Sequence, residues 1–246
     1  RQLSPVSLLM DRFVLSVHHS APLVVTRLCD FSITIMQFLD SIIAKARTDR
    51  QRIVLAEGED IRVIEAAQRA QSDGIAQCTL LGREAHIRQL ATTQGLDLAD
   101  INIEDPATSQ YHERYSQQLW GIRRHKGMTL EQAQQQAMDP LCFADLMLRA
   151  GEADGSIAGA VYTTGDRVRS ALQIVGVKPG FNSVSSFMLM LFEAEHHDPR
   201  QTMLFADCAL IVDPDAAQLA EITLSTVQSA RQFLDSEPRV AMLSFS

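Results

Sequence analysis

The spacing of apolar residues alternates along the chain between the period of a helix and that of a strand. Phe38, Ile42 and Ala46 mark one face of an opening helix, and short strands are predicted over residues 52–55 and 77–81. Further helices are predicted over residues 62–72, 84–94, 111–124, 130–137 and 142–150. Such alternation is typical of an α/β fold.

The Lys178-Pro179-Gly180 sequence interrupts this pattern, and we predict a domain change there. A first α/β domain is therefore expected over residues 36–178 and the start of a second over residues 179–246. In the second domain, strands are predicted over residues 184–191, 203–211 and 239–244, and a helix over residues 216–233.

Residues 1–35 keep neither period for long, because prolines and a His18-His19 pair break their apolar runs. No run is long enough to span a bilayer, and polar residues interrupt the apolar core that a secretory signal needs. We interpret the segment as an N-terminal extension. An incorrectly assigned start is preferred over the tail of a longer N-terminal module, which stays open as the alternative.

Composition excludes several classes of partner. The 246 residues are 46% hydrophobic, enough to bury a sizeable core. A net charge of -8 argues against nucleic acid and against an anionic membrane, since both attract clustered Lys and Arg. The cysteines are spaced as neither a zinc site nor a disulfide framework, which favours the reducing cytoplasm. They are Cys29, Cys78, Cys142 and Cys208.

Two segments have the chemistry of a phosphate site. A short buried strand is predicted over residues 156–161, and helical spacing begins at Arg169, so Thr163 and Thr164 lie near a helix N-terminus. Unpaired N–H groups and the helix dipole favour an anion at such a place. In the basic segment at residues 120–129, Arg123 offers a planar, charged fork for phosphate oxygens.

These two segments resemble the phosphate acetyltransferase and phosphate butyryltransferase family. Arg123 precedes a Lys-Gly-x-Thr sequence, and Ala153-Asp154-Gly155 precedes Gly-Ala, Thr-Thr and Arg-x-Ala-Leu-Gln sequences in the family's order. Further matching segments are residues 52–60, 184–187, 206–209, 213–222 and 237–244. A series of motifs from about Met36 to Ser246 is much more specific than any single motif.

The resemblance implies a three-layer α/β/α architecture, related to isocitrate and isopropylmalate dehydrogenases, with two domains of which the second is cut short. It implies reversible transfer of acetyl between acetyl phosphate and coenzyme A. The substrates would be acetyl-CoA, phosphate and acetyl phosphate, without a further cofactor or a metal, and the full-length protein would be a homo-oligomer. Nucleic acid and membranes are not expected partners.

The resemblance also assigns residues. Arg123 and Arg169 match the family's phosphate-site arginines and are expected to be catalytic, whereas Thr163 and Thr164 are expected to bind substrate. The family's catalytic aspartate and Ser-Arg pair belong to a C-terminal motif that this chain lacks, so the chain is expected to be an N-terminal fragment, inactive alone. Two alternatives stay open: a non-catalytic ligand-binding domain, as in malic enzymes, and a phosphate butyryltransferase.

Other polar residues have simpler interpretations. Arg169 could instead form a surface salt bridge with Asp166, and Arg124 occupies a position that is usually just basic. Structural roles are preferred over metal binding for Glu57, Glu59 and Asp60, and a solvated loop for residues 196–198. Cys208 is expected to be a small buried residue in a strand. The chain departs from the family's usual residues at Ala56, Tyr162, Gly165 and Ser170.

Overall fold

The structure is a computed structural model that describes residues 28–191, 202–234 and 237–243. Its Cα positions form two units, and the chain passes from the first to the second between Gly176 and Val177. Residues 43–176 belong to the first unit. The second unit includes residues 28–42 together with the described residues after Gly176.

The first unit is built on a four-stranded sheet. Its strands are β1 (Gln51–Leu55), β2 (Ala76–Leu81), β3 (Asn102–Glu104) and β4 (Gly155–Ile157). They lie in the order β3-β2-β1-β4, and each neighbouring pair is parallel. Leu55 is paired with Leu80 of β2 and with Ile157 of β4, so β1 is central. Parallel neighbours need crossover connections, which helices supply here.

Polar side chains cap four of the helices of the first unit. These helices are α2 (Ile61–Ser72), α3 (Glu84–Thr93), α4 (His112–Arg123), α5 (Leu130–Gln136), α6 (Pro140–Ala150) and α7 (Thr164–Ile174). The side chains of Asp60, Thr129, Asp139 and Thr163 accept a hydrogen bond from an amide in the first turn of α2, α5, α6 and α7, respectively. Each cap satisfies an amide that has no partner within the helix. A short 3-10 helix, Arg124–Lys126, follows α4.

Helices cover both faces of this sheet. Because successive strand residues point to opposite faces, Val54 packs with α4 to α7, whereas Leu55 packs with α2 and α3. Tyr115 of α4 and Phe143 of α6, both fully buried, meet edge to face in the first of these cores with ring centroids 4.8 Å apart. The predicted α/β class is therefore confirmed.

The second unit contains a two-stranded antiparallel sheet, one complete helix and part of another. Its strands are β5 (Phe187–Leu191) and β6 (Thr202–Ala206), and its helices are α8 (Ala216–Phe233) and residues 28–42 of α1 (Leu28–Thr48). Asp215 and Gln218 form a reciprocal capping box at the start of α8. No helix among the described residues is long and apolar enough to cross a membrane.

Two predicted strands end earlier than expected. The strand predicted over residues 156–161 is β4, which ends at Ile157 because the next amides donate to a carboxylate instead of a neighbouring strand. The strand predicted over residues 203–211 ends at Ala206, because the Asp207 carboxylate accepts hydrogen bonds from the amides of Leu210 and Ile211. Side-chain acceptors have replaced a sheet partner in both places.

The strand predicted over residues 239–244 was wrong for the described part, residues 239–243. These residues form neither helix nor strand, and Leu243 is 89% exposed. A strand needs a neighbour for its N–H and C=O groups, and no strand in the described chain pairs with this segment. Conversely, the three-residue strand β3 was not predicted, since it is too short to show a period.

A buried carboxylate lies inside the first unit. Asp145 of α6 is only 4% exposed, and its Oδ2 atom has no hydrogen-bond partner among the described residues. Burial raises its pKa above the ordinary value, the Ser170 hydroxyl opposes this rise, and the charge of Asp139 adds to it. The folded protein therefore holds a proton on Asp145 more tightly than the unfolded chain does.

Asp145→Asn should accordingly stabilise the chain at neutral pH, by about 1 kcal/mol, because asparagine carries no negative charge that burial must desolvate. The wild-type protein loses stability as the pH rises from the ordinary aspartate pKa to the raised pKa of Asp145. The gain from asparagine should thus disappear in acid. Urea unfolding at neutral and acidic pH measures the difference in unfolding free energy between Asp145→Asn and the wild type. Asp100 is exposed, and Asp100→Asn serves as the control. A gain that is equal at both pH values would contradict this explanation.

Candidate functional site

The loop between β4 and α7 lies at the carboxyl edge of the sheet. Because β1 and β4 are parallel neighbours, the residues after Leu55 and after Ile157 leave the sheet at the same edge. We call residues 158–163 the β4–α7 loop. Ligands of open α/β sheets bind at the carboxyl ends of strands, and the N-terminus of α7 provides a local site for an anion there.

Glu57 occupies the inner side of this loop. Its carboxylate, in a residue that is 7% exposed, accepts hydrogen bonds from four successive amides. Gly159 and Ala160 donate to Oε2 at 2.7 Å, and Val161 and Tyr162 donate to Oε1 at 2.6 Å. Burial alone would raise the pKa of Glu57, but the four amides together hold it below its ordinary value. Glu57 is therefore an anion built into the loop.

Two arginines hold carbonyl groups near the same loop. Arg62 Nη2 donates to the Ala160 carbonyl at 3.0 Å, and Arg167 Nη1 donates to the Ala158 carbonyl at 2.7 Å. Gly159 has a φ of 133°, and a Cβ there would lie 3.2 Å from the Arg167 guanidinium carbon. The backbone at this position thus favours glycine, and a side chain there would also displace the Arg167 guanidinium.

Thr163 and Thr164 lie where the sequence predicted, at the start of α7. Thr163 is the N-cap: its hydroxyl accepts from the amide of Asp166 at 3.2 Å and donates to the Asp166 carboxylate at 2.6 Å. The Thr164 hydroxyl accepts from Arg167 Nη2 at 3.3 Å. Both hydroxyls have partners within the chain, and their role as substrate-binding groups stays a prediction.

Arg169 projects from the second turn of α7. Its side chain is 66% exposed, and its Nη1 lies 3.1 Å from the Asp166 carboxylate. This contact is the surface salt bridge that the sequence offered as the alternative role of Arg169. Hydrogen bonding from Thr163, together with Arg169, lowers the pKa of Asp166. Exposed ion pairs are weak, so this guanidinium can exchange its partner for a phosphate oxygen.

Arg123 is the last residue of α4, and its Nε atom is buried without a hydrogen-bond partner among the described residues. Helix α4 packs against α7, and Leu119 and Ile174 share one core. The described contacts include no hydrogen bond between Arg123 and the β4–α7 loop, Thr164 or Arg169. Arg124 differs from Arg123, because its guanidinium lies 5.5 Å from the centre of the Trp120 ring.

Tyr162, one of the departures from the family's usual residues, is held by α6. Its hydroxyl donates at 2.9 Å to Asp139 Oδ2, while Oδ1 of the same carboxylate caps α6. Burial, reinforced by Asp139, raises the pKa of Tyr162. Tyr162 therefore ties the β4–α7 loop to the start of α6.

The other acidic residues have the structural roles that were preferred for them. Glu59 binds Arg83 and His86, and the hydrogen bond from Arg83 is the main reason that its pKa falls to about 2. Asp60 caps α2. Within the described ranges, no group of three His, Cys, Asp or Glu side chains could hold a metal ion. Residues 196–198 lie outside the described residues.

The sequence predicted that Cys208 lies in a strand, and this prediction was wrong. Cys208 follows the end of β6 and is half-buried, and its thiol contacts the Phe205 carbonyl. The reason is the early end of β6 at Ala206, where the Asp207 carboxylate organises the following turn. Partial burial is also the main reason that the pKa of the thiol is raised, which disfavours the reactive thiolate.

The fold and this edge define an α/β protein in which the N-terminus of α7 lies at the carboxyl edge of a parallel sheet. The chain belongs to the family described as phosphate acetyl/butaryl transferase, which matches residues 37–246. This finding confirms the resemblance that the two segments indicated.

Named relatives agree with this assignment. The phosphate acetyltransferase of Clostridium acetobutylicum is 41% identical over 211 residues, which are 86% of this chain and 63% of the relative. That of Escherichia coli is 43% identical over 82% of this chain and 27% of its own. The crystal structure of a phosphotransacetylase from Streptococcus pyogenes superposes with a TM-score of 0.80 at 35% identity, covering 86% of this chain and 63% of the other. The chain thus spans less than two thirds of these relatives.

Proposed function

We propose that the chain is part of a phosphate acetyltransferase, which interconverts acetyl-CoA plus phosphate with acetyl phosphate plus coenzyme A. The observation that carries this proposal is the arrangement of Thr163, Thr164 and Arg169 around the first turns of α7, in a chain 41% identical to a phosphate acetyltransferase. The N-terminus of a helix and an exposed guanidinium both favour a phosphate group.

In this proposal the chain supplies the phosphate half of the reaction. Arg169 and Arg123 hold the phosphate oxygens, which gain negative charge as phosphate leaves acetyl phosphate, and Thr163 and Thr164 orient the group. The aspartate base and the Ser-Arg pair that the resemblance implies would come from the C-terminal motif. Coenzyme A and acetyl-CoA act as substrates, and no metal takes part.

For the whole protein we propose the finer features that the family resemblance implies. These are a three-layer, two-domain architecture related to isocitrate and isopropylmalate dehydrogenases, a cytoplasmic location and a homo-oligomeric state. We place the domain change near residues 177–181, with residues 1–35 as an N-terminal extension. The similarity to a phosphotransacetylase structure over 86% of this chain supports this architecture.

The test of the proposed function is thioester formation by the complete protein supplied with acetyl phosphate and coenzyme A. We expect turnover that depends on both compounds and proceeds in reverse with acetyl-CoA and inorganic phosphate. Butyryl phosphate in a parallel assay separates the two acyl specificities of the family. Phosphate binding without turnover of acetyl phosphate or butyryl phosphate would contradict the proposal and favour a ligand-binding domain.

A further inference from the structure

We infer that Glu57 is a positioning residue for the phosphate site, because its carboxylate fixes the β4–α7 loop and thereby the start of α7. The inference rests on the proposed function for the identity of the ligand. Glu57 is buried, and its carboxylate already accepts hydrogen bonds from four amides. Glu57 therefore affects substrate binding only through the loop.

The geometry of these four hydrogen bonds is specific to a carboxylate. Successive amides of residues 159–162 point to one place and form a concave anion site, with two donors for each carboxylate oxygen. Ionised carboxylates accept stronger hydrogen bonds than neutral groups do. An amide side chain would keep one oxygen and would turn an NH2 group toward two of the N–H donors.

The backbone that carries Glu57 cannot move away from the loop easily. Ala56 is 1% exposed, and its amide donates to the Ile157 carbonyl at 3.2 Å, so β1 and β4 stay joined up to this point. A Cβ on Gly58 would lie 2.6 Å from the Leu81 carbonyl oxygen, which shows how closely the following residue packs on β2. Glu57 is therefore presented from a rigid position.

The loop transmits this position to the site directly. Tyr162 is the last of the four donors, and the next residue, Thr163, is the N-cap of α7. Arg62 and Arg167 hold the carbonyls of Ala160 and Ala158, so the loop is fixed from both its N–H and its C=O groups. Removing the carboxylate leaves these carbonyl contacts and the hydrogen bond from Tyr162 to Asp139, but it frees the four amides that lead to the N-cap.

The experiment compares Glu57→Gln with the matched control Glu59→Gln in the complete protein. Glu59 is two residues away but binds Arg83 and His86 instead of the loop. We expect Glu57→Gln to accelerate hydrogen exchange of residues 159–162 by about tenfold or more. It should also raise KM for phosphate by about tenfold, with KM for coenzyme A unchanged. Glu59→Gln should change neither quantity.

The outcomes separate this inference from a general loss of stability. Faster exchange with an unchanged KM for phosphate, or unchanged exchange, would overturn it. If Glu57→Gln does not fold, Glu57→Asp decides, because it keeps the charge but shortens the reach, and we expect the same two changes in smaller measure. An unmodified protein without phosphate-dependent turnover contradicts the proposed function, whereas the exchange of residues 159–162 still shows whether Glu57 holds the loop.

Discussion

Phe143→Ala should lower the free energy of unfolding by about 3–5 kcal/mol, the usual cost of removing a buried phenyl ring. Phe143 is fully buried on α6 and meets the ring of Tyr115 at a centroid distance of 4.8 Å. The cavity would lie between α4 and α6, since neither helix can close it without breaking contacts with its other neighbours. Urea denaturation followed by circular dichroism measures the change.

Leu172→Ala is the matched control for this experiment. Leu172 is 43% exposed on α7, and alanine is at least as good a helix former as leucine, so the loss should be small. Phe143→Leu should recover part of the stability because it refills much of the cavity. A loss below about 1 kcal/mol in Phe143→Ala would show that the core around Tyr115 is loosely packed.

Arg123→Ala and Arg169→Ala should each reduce kcat/KM with phosphate in the complete protein by about tenfold to a hundredfold. This range corresponds to the loss of one charge-assisted phosphate contact, about 1.5–3 kcal/mol. The reduction should appear in the phosphate direction of the assay, with little change in KM for coenzyme A. Lysine should not restore a site that uses both nitrogens of the guanidinium fork.

Arg124→Ala provides the matched control for the basic segment. Its guanidinium lies over the Trp120 ring, so alanine should remove a surface contact and leave phosphate turnover within about twofold of wild type. Equal losses for Arg123→Ala and Arg124→Ala would show that the basic segment has been matched to the family in the wrong register.

The sequence predicted the helices better than the strands. Helices such as α2 and α6 have a long apolar period and a polar cap, and these signals lie within the helix itself. Strand ends depend on neighbours that are distant in the chain. The end of β4 is set by Glu57, about a hundred residues away, and no local pattern reports such a partner.

The same distinction applies to the site. Thr163, Thr164 and Arg169 could be predicted as site residues because they follow one another in a recognisable motif beside a helix start. Glu57 and Arg167 were not assigned to the site, because Glu57 contacts the loop only after β1 and β4 have paired, and Arg167 lies in an ordinary helical position. The available signal for Glu57 was a glutamate two residues after the end of a buried strand.

The carboxylate of Glu57 also determines which anions the loop can respond to. Because it belongs to the same chain and is already in place, it competes with dissolved anions for the amides of residues 159–162 without losing translational freedom. Free phosphate or sulfate is therefore at a disadvantage at these amides. A substrate then meets a preorganised segment, and binding carries little further entropy cost for ordering it.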